Sequence, residues 1–133
     1  MITALDTSVA LDILLPDSEF AGRSMEAFRR ARAEGQVIVC EMVVAEVTPV
    51  LPPPTDFSTL ATDWSLRYVS CGEEAALLAG RWFRSYLQRD GKRGRIVADL
   101  IIGAPAACHA DWLLSRDAGF QRQSVPDLSI WYP

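Results

Sequence analysis

With 133 residues, half of them apolar, the chain is long enough to close one hydrophobic core and reads as one domain over residues 1–133. A net charge of −4 excludes a protein held on nucleic acid by charge alone. Cys40, Cys71 and Cys108 form no Cys-x-x-Cys pair, and with the lone His109 they cannot complete a zinc site, so reduced thiols are expected.

Residues 2–5 read as a short buried strand that ends at Asp6. Asp6 and Asp12 interrupt any apolar leader, and no basic segment precedes them, so a signal peptide is not expected. No stretch reaches membrane-spanning length, and a cytoplasmic protein is expected. Val9 to Leu15 has helical spacing, with Thr7 or Ser8 as its cap and Pro16 as its stop. Asp17 or Ser18 can cap a second helix from about Glu19 to Ala33, with Phe20, Met25 and Phe28 inward and Arg23, Arg29, Arg30 and Arg32 in solvent. Gly35 ends it.

Val37 to Cys40 reads as the second strand, and Glu41 to Leu51 as an apolar helix cut by Pro52-Pro53-Pro54. Thr55, Asp56 or Ser58 opens a helix ending near Trp64. Leu66 to Cys71 is a third strand. Glu73 to Arg89 is a long amphipathic helix with Ala76, Leu77, Ala79, Gly80, Phe83 and Leu87 as its inward set. After a loop at 90–94 comes a helix from about Ile96, a turn, a buried strand at Trp112-Leu113-Leu114, and the acid Asp117. A turn at 119–121 and a last short strand from Leu128 to Trp131 complete the chain. Strands alternating with helices predict right-handed crossovers and an α/β fold of three layers, α/β/α, around a mostly parallel sheet of four to five strands.

In such a sheet, ligands sit beside the carboxyl ends of the strands. Asp6, Glu46, Asp99 and Asp117 can all reach that edge. Glu46 is the most informative, because it interrupts an apolar helix where an unpaired acid is costly. Carboxylates gathered there would raise one another's pKa, and a divalent cation would relieve the repulsion. Oxygen ligands alone point to Mg2+ or Mn2+. A metal-activated water beside a phosphoryl group is the chemistry such a site performs.

These residues resemble a known family. Asp6-Thr7-Ser8 after the first strand looks like the opening of a PIN domain, and Val43-Val44-Ala45-Glu46-Val47 is similar to its second motif. Ile96 to Ala104 resembles its third motif, and Trp112 to Phe120 its fourth. The likeness runs from Ile2 to about Trp131 and implies a single PIN domain similar to the VapC-type toxins of bacterial toxin–antitoxin pairs. It implies a metal-dependent endoribonuclease. Asp6, Glu46, Asp99 and Asp117 would hold one or two Mg2+ or Mn2+ ions, and Ser8 and Ser115 would occupy the matching hydroxyl positions. The products would carry a 5′-phosphate and a 3′-hydroxyl. The likeness also implies a homodimer and a small cognate antitoxin that covers the groove. One departure is Pro105, inside the third-motif helix, where a kink or early break is expected.

Each acid alone has an ordinary reading as a cap or surface charge. Asp12 reads as a solvated helix position, Glu41 as a first-turn acid and Asp111 as a turn residue. His109 reads as a helix-end residue. Arg93 and Arg95, with Lys92, could reach an RNA phosphate or be a solvated loop; Arg116 could bind phosphate or pair with a carboxylate. Trp64, Trp82, Trp112 and Trp131 read as core or interface residues, and Trp82 and Tyr86 could face a partner subunit. The competing functions are a catalytically silent PIN-like binding domain and a receiver-like signalling domain. The latter lacks its usual second early acid and late lysine here. A dinucleotide-binding role fails for want of a Gly-x-Gly-x-x-Gly after the first strand.

Overall fold

A computed structural model describes residues 1–15, 19–89, 91, 96–117 and 128–133. Several expectations lie outside them: Lys92, Arg93 and Arg95, the capping roles of Asp17 and Ser18, and the turn at 119–121.

The elements are β1 (Ile2–Leu5), α1 (Thr7–Leu14), α2 (Ala21–Glu34), β2 (Gln36–Val39), α3 (Glu41–Val47), a 3-10 turn (Thr48–Val50), α4 (Phe57–Trp64), β3 (Leu66–Tyr68), α5 (Gly72–Gln88), α6 (Ile96–His109), β4 (Trp112–Leu114) and β5 (Ile130–Trp131). The five strands form one sheet in the order β3-β2-β1-β4-β5, and every pairing is parallel. β1 is the central strand, with Ala4 opposite Ile38 on one side and Leu113 on the other. The chain steps outward in one direction through β2 and β3, then returns to the other side of β1 for β4 and β5. Right-handed crossovers in opposite directions put the helices on opposite faces. The expected three-layer α/β/α architecture is therefore the observed one.

Parallel strands covered on both faces should be apolar throughout. Thr3, Ala4, Leu5, Val37, Ile38, Val39, Leu113 and Leu114 are accordingly all buried. On one face Phe28 of α2 meets Trp64 of α4, ring centroids 5.2 Å apart. On the other, α5 and α6 share a second core of Cys71, Ala75, Ala79, Trp82, Ile96, Leu100 and Ala104. Ile102, Pro105 and Ala106 of α6 lie over Ala4 and Ile38 with only about 10 Å3 between them.

Several local expectations change. The Glu41 helix is shorter than expected: α3 ends at Val47 and gives way to a 3-10 turn that contains Pro49. The inward stripe of α5 is Ala75, Ala79 and Trp82, while Leu77 is exposed. Trp82 is thus core, not a surface for a partner. Neither Thr7 nor Ser8 caps α1. Asp6 holds that position in an extended conformation, with its side chain turned elsewhere. Asp56 is the working cap of α4, accepting bonds from the Ser58 and Thr59 amides at 3.0 and 3.3 Å. Gly35 closes α2 where the chain passes Met1, and a Cβ there would collide with the Met1 backbone.

The expected break at Pro105 does not occur, since α6 continues to His109. A proline at this position deprives the carbonyl four residues earlier of its helical donor. That carbonyl belongs to Ile101, and the Cys40 thiol points to it at 3.5 Å. Burial pushes the Cys40 thiol's pKa up, which keeps its proton available for donation. Cys71 and Cys108 are also free thiols with pKa values raised chiefly by burial.

The buried Thr3 Oγ1 finds no hydrogen-bond partner among the described residues. Thr3→Val keeps the shape and removes the orphan hydroxyl, so it is expected to stabilise the fold by about 1 kcal/mol. A higher urea midpoint at unchanged m-value is the measurement.

Candidate active site at the β1–β4 edge

The direction of the sheet's crossovers reverses between β1 and β4. That is the switch point at which open α/β sheets form ligand crevices. Asp6 follows β1 directly, and Ser115-Arg116-Asp117 follows β4. The Asp6 amide donates to the Leu114 carbonyl at 3.0 Å, which holds the two strand ends together.

Asp6 is 5% exposed. Its Oδ2 accepts the Ser8 hydroxyl and the Ser115 hydroxyl, both at 2.7 Å. Burial raises the Asp6 pKa above its ordinary value. The two serine bonds work against that rise by favouring the charged form, and the nearby charge of Asp117 adds a smaller upward push. The Asp117 amide donates to Ser115 Oγ at 3.1 Å. The serines therefore do more than line the site: Ser115 ties the end of β4 to the carboxylate that follows β1, and Ser8 fixes the same oxygen from the first turn of α1.

Glu46 lies on α3, where Val43 and Val47 turn into the core. Its Oε1 accepts the Thr7 hydroxyl at 2.8 Å, so the residue after Asp6 holds Glu46 beside α1. Asp99 stands in the first turn of α6 and is half-buried; α6 in turn packs on α3, β1 and β4. Among the described residues, no three carboxylate, thiolate or imidazole groups stand close enough together to hold a metal ion. The donors at this edge are carboxylate and hydroxyl oxygens, a set that suits a hard dication in kind.

The neighbouring acids divide differently from the sequence expectation. Asp12 is not solvated. It is 3% exposed and accepts the Ser24 hydroxyl at 2.7 Å. Arg116 grips it with two bonds, Nε to Oδ2 at 2.8 Å and Nη2 to Oδ1 at 3.1 Å. Glu41 binds the Tyr68 hydroxyl, the Cys71 amide and the Ser70 hydroxyl at 2.8, 2.7 and 3.0 Å. Burial opposes its charge, but these donors outweigh it and lower its pKa. Asp111 accepts the Ile2 amide at 2.8 Å, and His109 Nε2 lies 3.3 Å from the Cys71 carbonyl. These three acids and the histidine are occupied in structure.

A PIN domain family model matches residues 3–125. No curated protein matches the chain. Among solved structures, VapBC2 from Rickettsia felis, bound to a promoter DNA fragment, superposes with a TM-score of 0.77 at 15% identity, covering 100% of this chain and 99% of that one. DNA-bound VapBC from Salmonella typhimurium gives 0.75 at 14% identity, covering 99% and 98%. FitAcB from Neisseria gonorrhoeae gives 0.71 at 25% identity, covering 100% and 98%.

The raised pKa of Asp6 has a consequence for stability. Its folded value lies above its unfolded one, so its stabilising contribution is complete below the ordinary carboxylate range and is lost as pH rises through the folded value. In metal-free buffer, Asp6→Asn is therefore expected to unfold at higher temperature than the parent at neutral pH, with the gap narrowing in acid. Thermal melts across a pH series check this.

A switch-point carboxylate clasped by one hydroxyl from α1 and one from the end of β4, in a chain whose family model spans almost its whole length, leads to one assignment: the protein belongs to the PIN domain family.

Proposed function

We propose that this chain is a metal-dependent endoribonuclease and the toxin of a VapBC-type toxin–antitoxin pair. The observation that carries the reading is Asp6: a buried carboxylate at the switch point, bonded by Ser8 and Ser115 and within the field of Asp117. Membership of the PIN family supports hydrolysis of nucleic acid as the reaction class. The VapBC and FitAcB neighbours support a toxin that works with a small antitoxin partner.

In this reading Asp6, Glu46, Asp99 and Asp117 hold the Mg2+ or Mn2+. The bound ion supplies a water of lowered pKa and positive charge against a phosphoryl oxygen. The protein's own part is positional. Ser8 and Ser115 fix the Asp6 carboxylate by engaging one oxygen, Oδ2. Thr7 holds Glu46 on the α1 side of the edge. The hydroxyls cost the site no net charge, so the carboxylates keep their full attraction for a dication. A homodimer acting in the cytoplasm belongs to the same proposal.

Single-stranded RNA incubated with the protein and Mn2+ is expected to be cut, and excess chelator is expected to stop the reaction. Asp6→Asn and Asp99→Asn should each lower the rate at least about 100-fold while the circular dichroism spectrum stays native. Thr7→Val removes only the hydroxyl that orients Glu46, so a loss of about 10-fold is expected. If the parent fails to cut RNA with either ion, the silent binding-domain reading replaces this one. If both Asp variants cut at the parent rate, the site lies elsewhere.

A further inference from the structure

Beside the carboxylates lies a cavity of about 180 Å3, lined by Phe20, Arg23, Ser24, Arg116, Tyr132 and Pro133. Pockets that enclose whole small molecules start at about 300 Å3. This one has room for a single group of a longer ligand. We propose that it is a subsite for the backbone phosphate next to the scissile bond of single-stranded RNA, gripped by Arg116 and Arg23. The proposal rests on the nuclease reading above.

Placement is the first support. The Arg116 amide donates to Ser8 Oγ at 3.1 Å, and Ser8 in turn donates to Asp6 Oδ2. The backbone of Arg116 is thus tied to the central carboxylate through Ser8, while its guanidinium reaches along α1 to Asp12. Preorganisation is the second. Asp12 is buried and fixed by Ser24, and it takes the Nε–Nη2 edge of the guanidinium. Among the described residues no acceptor takes the Nη1–Nη2 edge, and a phosphate has the matching geometry for it. The Arg116 side chain is 38% exposed and lines the cavity.

Charge is the third support. Phe20 gathers both cations, with the Arg116 guanidinium 4.4 Å and the Arg23 guanidinium 5.2 Å from its ring centroid. Asp12 offsets the charge of Arg116, and Arg23 adds a second cation among the lining side chains. Tyr132 supplies an aromatic wall, and aromatic side chains beside cations are how single strands are held without sequence preference.

The test uses a fluorescein-labelled single-stranded RNA. Cleavage kinetics are measured in Mn2+, and binding is followed by anisotropy in EDTA over a salt series. Arg23→Gln and Arg116→Gln are each expected to raise KM about 10-fold with kcat nearly unchanged. Each should also flatten the slope of log Kd against log salt by about 0.7. Arg116→Gln strips a buried acid of its partner and can unfold the chain; Arg23 has no acidic partner among the described residues, so Arg23→Gln decides the matter alone. A folded Arg23→Gln with parental KM and salt slope overturns the proposal. So does a variant whose only defect is weaker binding of an acidic peptide, because the pocket then serves a protein partner. A parent that binds RNA with the arginine-dependent salt slope yet never cuts it sinks the nuclease reading and leaves the phosphate contact standing.

Discussion

The fold and its chemistry meet at one hydrogen-bonded carboxylate. Asp6 leaves the central strand and is buried by the neighbouring elements. A charge in that position is tolerable only where donors surround it. Ser8 and Ser115 are those donors, one from each side of the switch point. The Ser115 bond also pins the ends of β1 and β4 together, so site geometry and sheet closure share a contact.

A second buried acid repeats the pattern for a different purpose. Asp12 holds Arg116 by two bonds, Ser24 holds Asp12, and Phe20 lies against the guanidinium. Breaking such a pair would strand a buried charge, which is far costlier than loss of a surface salt bridge. The arginine is therefore aimed with little freedom. A buried carboxylate and a fixed guanidinium, each held by its own hydrogen-bond partners, thus belong to the residues that follow β1 and β4. That arrangement suits a substrate carrying negative charge along its length and needing a cation at one point.

How far the sequence could foretell this depended on the range of each contact. β1 and Asp6 were legible because an apolar run ended in an acid. Glu46 stood out because it broke an apolar helix, and the structure gives it the Thr7 hydroxyl as a partner. Asp12 was misread as solvated because its partners, Ser24 and Arg116, stand 12 and 104 residues away. The α5 stripe was misplaced because Ala, Leu and Gly offered several plausible faces, and only packing of Trp82 against α6 selected one. Pro105 argued for a broken helix by local rules. Local rules could not show that the Cys40 thiol would meet the carbonyl it left bare. Thr7 as the holder of Glu46 was likewise hidden, since an N-terminal threonine reads first as a cap.

The separation of Asp6 from Ser115 has one more consequence. Their bond joins residues 109 positions apart in a chain of 133. A polypeptide still emerging from the ribosome carries Asp6 from the outset but lacks the strand that completes its surroundings. Chains fold as units once enough sequence is out. Any activity built on this carboxylate therefore waits until synthesis has passed Ser115, and a fragment that stops short of it lacks the donor that completes the site.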